Sequence, residues 1–248
     1  VTEAAPIQEA KRPNAVATYS VLALVVLGTA IEVRLASKAP SETTAAAVAS
    51  LFTLNSLLWV TLQALVVAMF VAIMQLVTDG DGTPLGSWQA VSEQSAGVMA
   101  VGLGCLMFVV MSFGIPMIAV QIWPELIDSH PDVFAGAVPD IPTLLLAFVV
   151  TVIGGAVREE LWRVAWLRAW ERLGEKWLTA GIWISAFAFG SVHAYEGVPA
   201  IAITTIMGLL LAYRWSVRRD LSELMIIHGV HNMLTLVLLY IKPFVSAP

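Results

Sequence analysis

The run Leu144-Leu145-Leu146-Ala147-Phe148-Val149-Val150-Thr151-Val152-Ile153-Gly154-Gly155-Ala156-Val157 leads without a break into Arg158-Glu159-Glu160-Leu161-Trp162-Arg163. Its apolar part reads as a segment entering a membrane, where charge costs at least ~2.5–3.5 kcal/mol per residue on insertion scales. Ionisable residues kept at such depth face a protein-lined or wet cavity and serve a function. The blander reading is that the charges mark a cytoplasmic helix end. On an α-helix, at ~100° per residue, Glu159 and Glu160 fall on either side of Arg163. They stand at the two separations that let helical side chains meet, so one guanidinium is expected to hold both carboxylates.

Working outward, the 248 residues are 58% hydrophobic and only 12% charged, which no ordinary soluble domain matches. A crossing helix needs ~20 apolar residues, and the chain offers several such runs separated by short polar stretches. The fold expected is all-α, a polytopic transmembrane helix bundle of about seven spans. A net charge of -5 with 13 Lys and Arg excludes a nucleic-acid footprint. Cys105 is the only cysteine, so no intramolecular disulfide forms.

The expected spans are Ala15–Val33, Thr44–Val77, Ala96–Trp123, the run from Ile141 through the Glu pair, Trp177–His193, Pro199–Trp215 and Leu221–Ile241. Residues 1–14 form a polar tail ahead of them. Two basic clusters, Arg168, Arg172 and Lys176 and then Arg214, Arg218 and Arg219, fall on one face and mark it as cytoplasmic. Parity then puts the N-terminus in the cytoplasm of a multi-pass protein of the plasma membrane. Asn55, Gln63 and Gln75 read as hydrogen bonds between helices. Asp79-Gly80-Asp81-Gly82-Thr83-Pro84 reads as a turn, because the later acidic ligands of a calcium loop are missing. His130 reads as a surface residue of a polar loop.

Depth brings distant residues to one level. Counted from the cytoplasmic helix ends at ~1.5 Å per residue, the Glu pair lies roughly 20 Å in, His193 roughly 24 Å and His228 roughly 13 Å. Asn232 follows His228 by one turn on the same face. Two carboxylates, two histidines and an amide are thus expected to converge inside the bilayer. His231 points ~60° away from His228 and reads as a helix contact. Glu196 reads as a loop residue.

These residues carry a family resemblance. Phe189-Gly190-Ser191-Val192-His193 resembles the F-x-x-x-H motif, and His228-Gly229-Val230-His231-Asn232 the H-x-x-x-N motif, of the CAAX protease and bacteriocin-processing family, which includes type II CAAX prenyl endopeptidases. The Glu pair and Arg163 on an earlier helix resemble the family's E-E-x-x-x-R, with one residue fewer between them. The resemblance implies a catalytic core over 141–241, preceded by accessory helices over 15–140 and followed by a tail over 242–248. It also implies an intramembrane endopeptidase that cleaves a membrane-associated peptide or protein within the lipid bilayer. In that scheme Glu159, Glu160, His193, His228 and Asn232 are catalytic and Arg163 supports them. A Glu and a His activate water, and the later His and Asn hold the oxyanion.

Bottom-up chemistry allows the same assignment, with a Glu as general base and His and Asn as donors to developing charge. Family members are also called metalloproteases, and Glu159, His193 and His228 are acceptable zinc ligands with one open position. No H-E-x-x-H pair is present, so no cofactor is expected to be required. Of the two carboxylates, Glu159 is expected to be the base, because it lands on a family glutamate whether the motif is aligned by the Glu pair or by Arg163. Two other function classes fit the composition. One is a non-proteolytic binding or bacteriocin-immunity protein of the same fold, and the other is a proton-coupled transporter, for which no internal repeat is evident.

Overall fold

A computed structural model of the chain describes residues 52–78, 95–122 and 137–245, together with isolated helical positions between 19 and 30. The polar tail, most of the expected first span, the start of the second, the Asp79–Pro84 turn and the loop holding His130 lie outside the described residues.

Seven α-helices carry the described fold: α1 (Leu54–Thr78), α2 (Ser95–Ile122), α3 (Ile141–Thr151), α4 (Arg158–Glu171), α5 (Glu175–Val192), α6 (Val198–Arg218) and α7 (Leu221–Val245). No strand occurs among the described residues, and the chain is an all-α helical membrane bundle. Among the described residues, five helical runs are long and apolar enough to cross a membrane: Leu54–Ile73, Val98–Ile118, Ile141–Glu171, Val198–Arg218 and Leu221–Lys242. Helix α5, expected as a span, is not among these five.

Local chemistry sets the helix ends. The Asp140 carboxylate accepts from Thr143 N at 2.8 Å and caps α3 just ahead of Pro142. That bond holds its proton affinity below the ordinary carboxyl range. Thr53 Oγ1 accepts from Ser56 N at 3.2 Å at the start of α1. Between α6 and α7 the chain turns through Arg219, which adopts a left-handed conformation. Asp220 Oδ1 then caps α7, accepting from Ser222 N and Glu223 N at 3.0 and 3.2 Å.

The long apolar run is not one regular helix. Between α3 and α4, Val152–Val157 winds as a π-helix, which inserts extra backbone per turn and re-aims the residues after it. Its Gly155 lies against α7, where an added Cβ would stand 2.6 Å from Asn232 Nδ2. A side chain at this position would have to push the end of the Asn232 side chain aside.

Helix α4 is the buried centre. It packs against α1 and α5, and α7 runs along the π-helical stretch, α2 and α3. Val164, Ala165, Leu167, Leu211, Trp215, Leu224 and Ile227 form the main core with Val71 and Phe108. Small residues let α5 and α6 pack closely. A Cβ on Gly190 would stand 2.7 Å from the backbone oxygen of Ile201, so a side chain there would force the helices apart.

The basic cluster at the α6–α7 turn is partly spent inside the protein. Arg214 bonds the fully buried Glu223 and also donates to Ala100 O on α2 at 2.8 Å. Arg218 Nε reaches the other oxygen of Glu223 at 3.1 Å. Two of the three arginines read as an orientation signal are therefore fastening α2, α6 and α7 together.

Candidate active site

The adjacent glutamates leave the π-helical stretch at the first turn of α4 and meet opposite surroundings. Glu160 is fully buried. It accepts from Arg163 Nε at 2.8 Å and from Nη2 at 3.3 Å, a two-pronged hold that matches the planar guanidinium to the carboxylate. Arg163 is steadied in turn by the face of Phe189, whose ring centroid lies 4.4 Å from its guanidinium carbon, and it donates to Gly208 O.

Across from α4, His228 on α7 places Nδ1 2.7 Å from Glu160 Oε1. A carboxylate already held by arginine is an acceptor, so the imidazole donates and its proton sits on Nδ1. Its Nε2 is then the ring nitrogen turned away from Glu160. That atom is 3.9 Å from Glu159 Oε2, too far for a direct hydrogen bond. Gly155 faces the same place, since a Cβ added to it would stand 3.8 Å from His228 Nε2 and 2.6 Å from the Asn232 amide nitrogen.

Glu159 is only partly covered, with 24% of its side chain exposed. Its Oε1 lies 3.3 Å from Arg158 Nη2, and Arg158 Nη1 donates to Gln63 Oε1 on α1 at 2.5 Å. The expectation that Arg163 holds both carboxylates is thereby corrected. Arg163 gives Nε and Nη2 to Glu160 and Nη1 to Gly208 O, and Glu159 is served by the preceding arginine instead. The physical reason is burial, since the guanidinium that cannot reach water takes the carboxylate that cannot either.

Glu159 borders a cavity of about 300 Å³ between α1, α4 and α5, walled by Trp162, Trp166, Ala188, Phe189 and Val192. His193 stands at the end of α5, with Nδ1 2.9 Å from Phe189 O, which leaves Nε2 available. The ring of Phe189 lies between the two histidines, 4.9 Å from His193 and 6.1 Å from His228 by centroids. Tyr195 stacks on the other side of His193 at 6.2 Å. Glu159, Glu160, Arg163, His228 and Asn232 thus form one contiguous group, with His193 one aromatic ring away.

His231 packs edge-on to Phe108 at 5.1 Å, a ring that also lies 6.5 Å from His228, and its buried Nδ1 has no hydrogen-bond partner among the described residues. Among the described residues no three His, Cys, Asp or Glu side chains are grouped so as to hold a metal ion.

Spacing along the chain marks Gln63 only as an interhelical contact and Arg158 only as an alternative occupant of a motif position. Nor does it predict the π-helical stretch. The adjacent glycines, Gly154 and Gly155, are the one signal that points to it, since each removes a side chain where another helix approaches.

Residues 140–234 match the family model described as Rce1-like, type II CAAX prenyl endopeptidase Rce1-like. No curated protein and no solved structure matches the chain. The matched segment holds the π-helical stretch, both glutamates, Arg163, both motif histidines and Asn232, while α1 and α2 lie outside it. Over residues 140–234 this integral membrane protein, whose described residues include five apolar helices able to span a bilayer, is similar to the Rce1-like family of type II CAAX prenyl endopeptidases.

Proposed function

We propose that the protein is an intramembrane endopeptidase that hydrolyses a peptide bond of a membrane-associated substrate, with Glu159 as general base. One observation carries this reading: of two adjacent carboxylates, Glu160 is consumed by Arg163 and His228, while Glu159 borders a cavity with one oxygen turned towards His228 Nε2.

A water between Glu159 Oε2 and His228 Nε2 has an acceptor on each side. Glu159 takes its proton as it attacks the carbonyl carbon, and the Asn232 amide donates to the oxyanion that forms. Collapse of the tetrahedral intermediate breaks the C–N bond, and the proton on Glu159 passes to the departing amine. Glu160 steadies the orientation of the His228 ring through its contact with Nδ1. This changes the part expected of His228. With Nδ1 donating to Glu160, Nε2 is the nitrogen that faces and orients the water, and oxyanion donation falls to Asn232. His193 is kept as the second water-activating group that the family resemblance implies, acting through its free Nε2.

The test is cleavage of membrane-proximal peptides by the purified protein, wild type beside His193→Ala, before and after chelation. Wild-type cleavage that survives chelation and falls ~10²-fold or more in the variant is the expected result. Equal rates in the two proteins would remove His193 from the reaction. Loss on chelation with recovery on adding zinc would make the histidines ligands and overturn the metal-free mechanism. Absence of cleavage by wild type across the peptides would favour the non-proteolytic binding protein.

A further inference from the structure

The proposed base is not held by the matched family segment alone. Glu159 Oε1 is 3.3 Å from Arg158 Nη2, and the other arm of that guanidinium donates to Gln63 Oε1 at 2.5 Å. Gln63 sits on α1, 95 residues earlier in the chain, and α1 packs directly on α4. Arg158 and Glu159 are each about one-quarter exposed, so neither is fixed by burial. A flexible arginine neighbouring a partly exposed carboxylate adopts many geometries of similar energy and contributes little by itself. Anchoring one arm of the guanidinium to a neutral oxygen on another helix removes that freedom. The remaining arm then meets Oε1 and leaves Oε2 as the oxygen nearest His228 Nε2, 3.9 Å away.

Gln63 suits this task chemically. Its amide oxygen accepts from arginine without bringing a second negative charge into the site, so it restrains Arg158 without competing for it as strongly as a carboxylate would. It also borders the cavity that Glu159 borders, which separates it from an ordinary helix-to-helix bond buried at a contact.

From this geometry we propose that Gln63 is a positioning residue of the site: through Arg158 it fixes which oxygen of Glu159 faces the reacting water. The inference rests on the endopeptidase reading and extends it to a helix outside residues 140–234. Helix α1 is on this account part of the catalytic apparatus.

The experiment compares wild type, Gln63→Met and Gln63→Glu in steady-state cleavage, with Glu159→Gln as a control. The Met variant keeps the length and loses the acceptor, while the Glu variant keeps an acceptor oxygen in place. Misplacing a catalytic group by about 1 Å costs on the order of 100-fold, so Gln63→Met should lower kcat roughly 10- to 100-fold with KM nearly unchanged. Gln63→Glu, which keeps an acceptor but adds a charge that competes for Arg158, should recover only part of that loss. A Gln63→Met protein with wild-type kcat would overturn the proposal. So would a rise in KM alone, which would make Gln63 a wall of the substrate cavity. Should Glu159→Gln cleave as well as wild type, the endopeptidase reading itself falls, an outcome distinct from a silent Gln63. A double-mutant cycle in thermal unfolding between Gln63→Met and Arg158→Met needs no substrate, and additivity there would contradict the link directly.

Discussion

Glu159 and Glu160 are neighbours in sequence and opposites in surroundings. Glu160 is closed in by Arg163 and His228 with no exposed surface, whereas Glu159 keeps a quarter of its side chain open beside a cavity. A buried, arginine-held carboxylate is a structural acceptor whose proton exchange is costly. A half-open carboxylate with one oxygen free has the access a general base needs. One turn of helix therefore gives two identical side chains surroundings that residue type alone cannot separate.

The contrast is sharpest where each residue is disturbed. Glu160→Gln leaves Arg163 as an uncompensated buried charge, and breaking such a pair costs ~3–5 kcal/mol. Thermal unfolding in detergent should register this as a marked fall in Tm, and no change would show that the pair is not the fastening that its geometry indicates.

Gly155→Ala disturbs the open side. An added Cβ at 2.6 Å from Asn232 Nδ2 forces the amide aside, and Asn232 Nδ2 is the end of a flexible side chain that can move. Cleavage should fall, on the order of 10- to 100-fold, while stability changes by no more than the ~1–3 kcal/mol usual for overpacking. A variant as active as wild type would show that Asn232 does not need this position.

His231→Phe should have the smallest effect. The ring already packs against Phe108 and Phe113, and its buried Nδ1 has no partner among the described residues, so an apolar ring removes an unsatisfied group. Activity should stay within a few-fold and Tm should hold or rise, since an orphaned polar group costs ~1–3 kcal/mol. A strong loss of activity would place His231 in the site.

The helices are legible in the sequence because apolar runs of spanning length dictate them. The expected Ala96–Trp123 corresponds to α2 at Ser95–Ile122, and the expected Pro199–Trp215 to α6 at Val198–Arg218. Helical spacing also foretells the proximity of Arg163 to the Glu pair. It does not foretell which glutamate Arg163 takes, because that choice depends on burial against Phe189 and His228, on other helices. The same holds for Gln63 with Arg158 and for Arg214 and Arg218 with Glu223, pairings fixed by how helices meet. The π-helical turn is hidden for another reason: a run of uniformly apolar residues has no polar face whose periodicity would betray a change of winding.

The division between the two glutamates is tested most directly by measuring cleavage rate and thermal stability together for Glu159→Gln and Glu160→Gln in the same preparation. Loss of the general base should lower the rate ~10²- to 10⁴-fold in Glu159→Gln with Tm near that of wild type. Glu160→Gln should show the reverse emphasis, a clear loss of Tm with residual cleavage. A Glu160→Gln protein that is stable but inactive, beside a Glu159→Gln protein that still cleaves, would contradict the assignment.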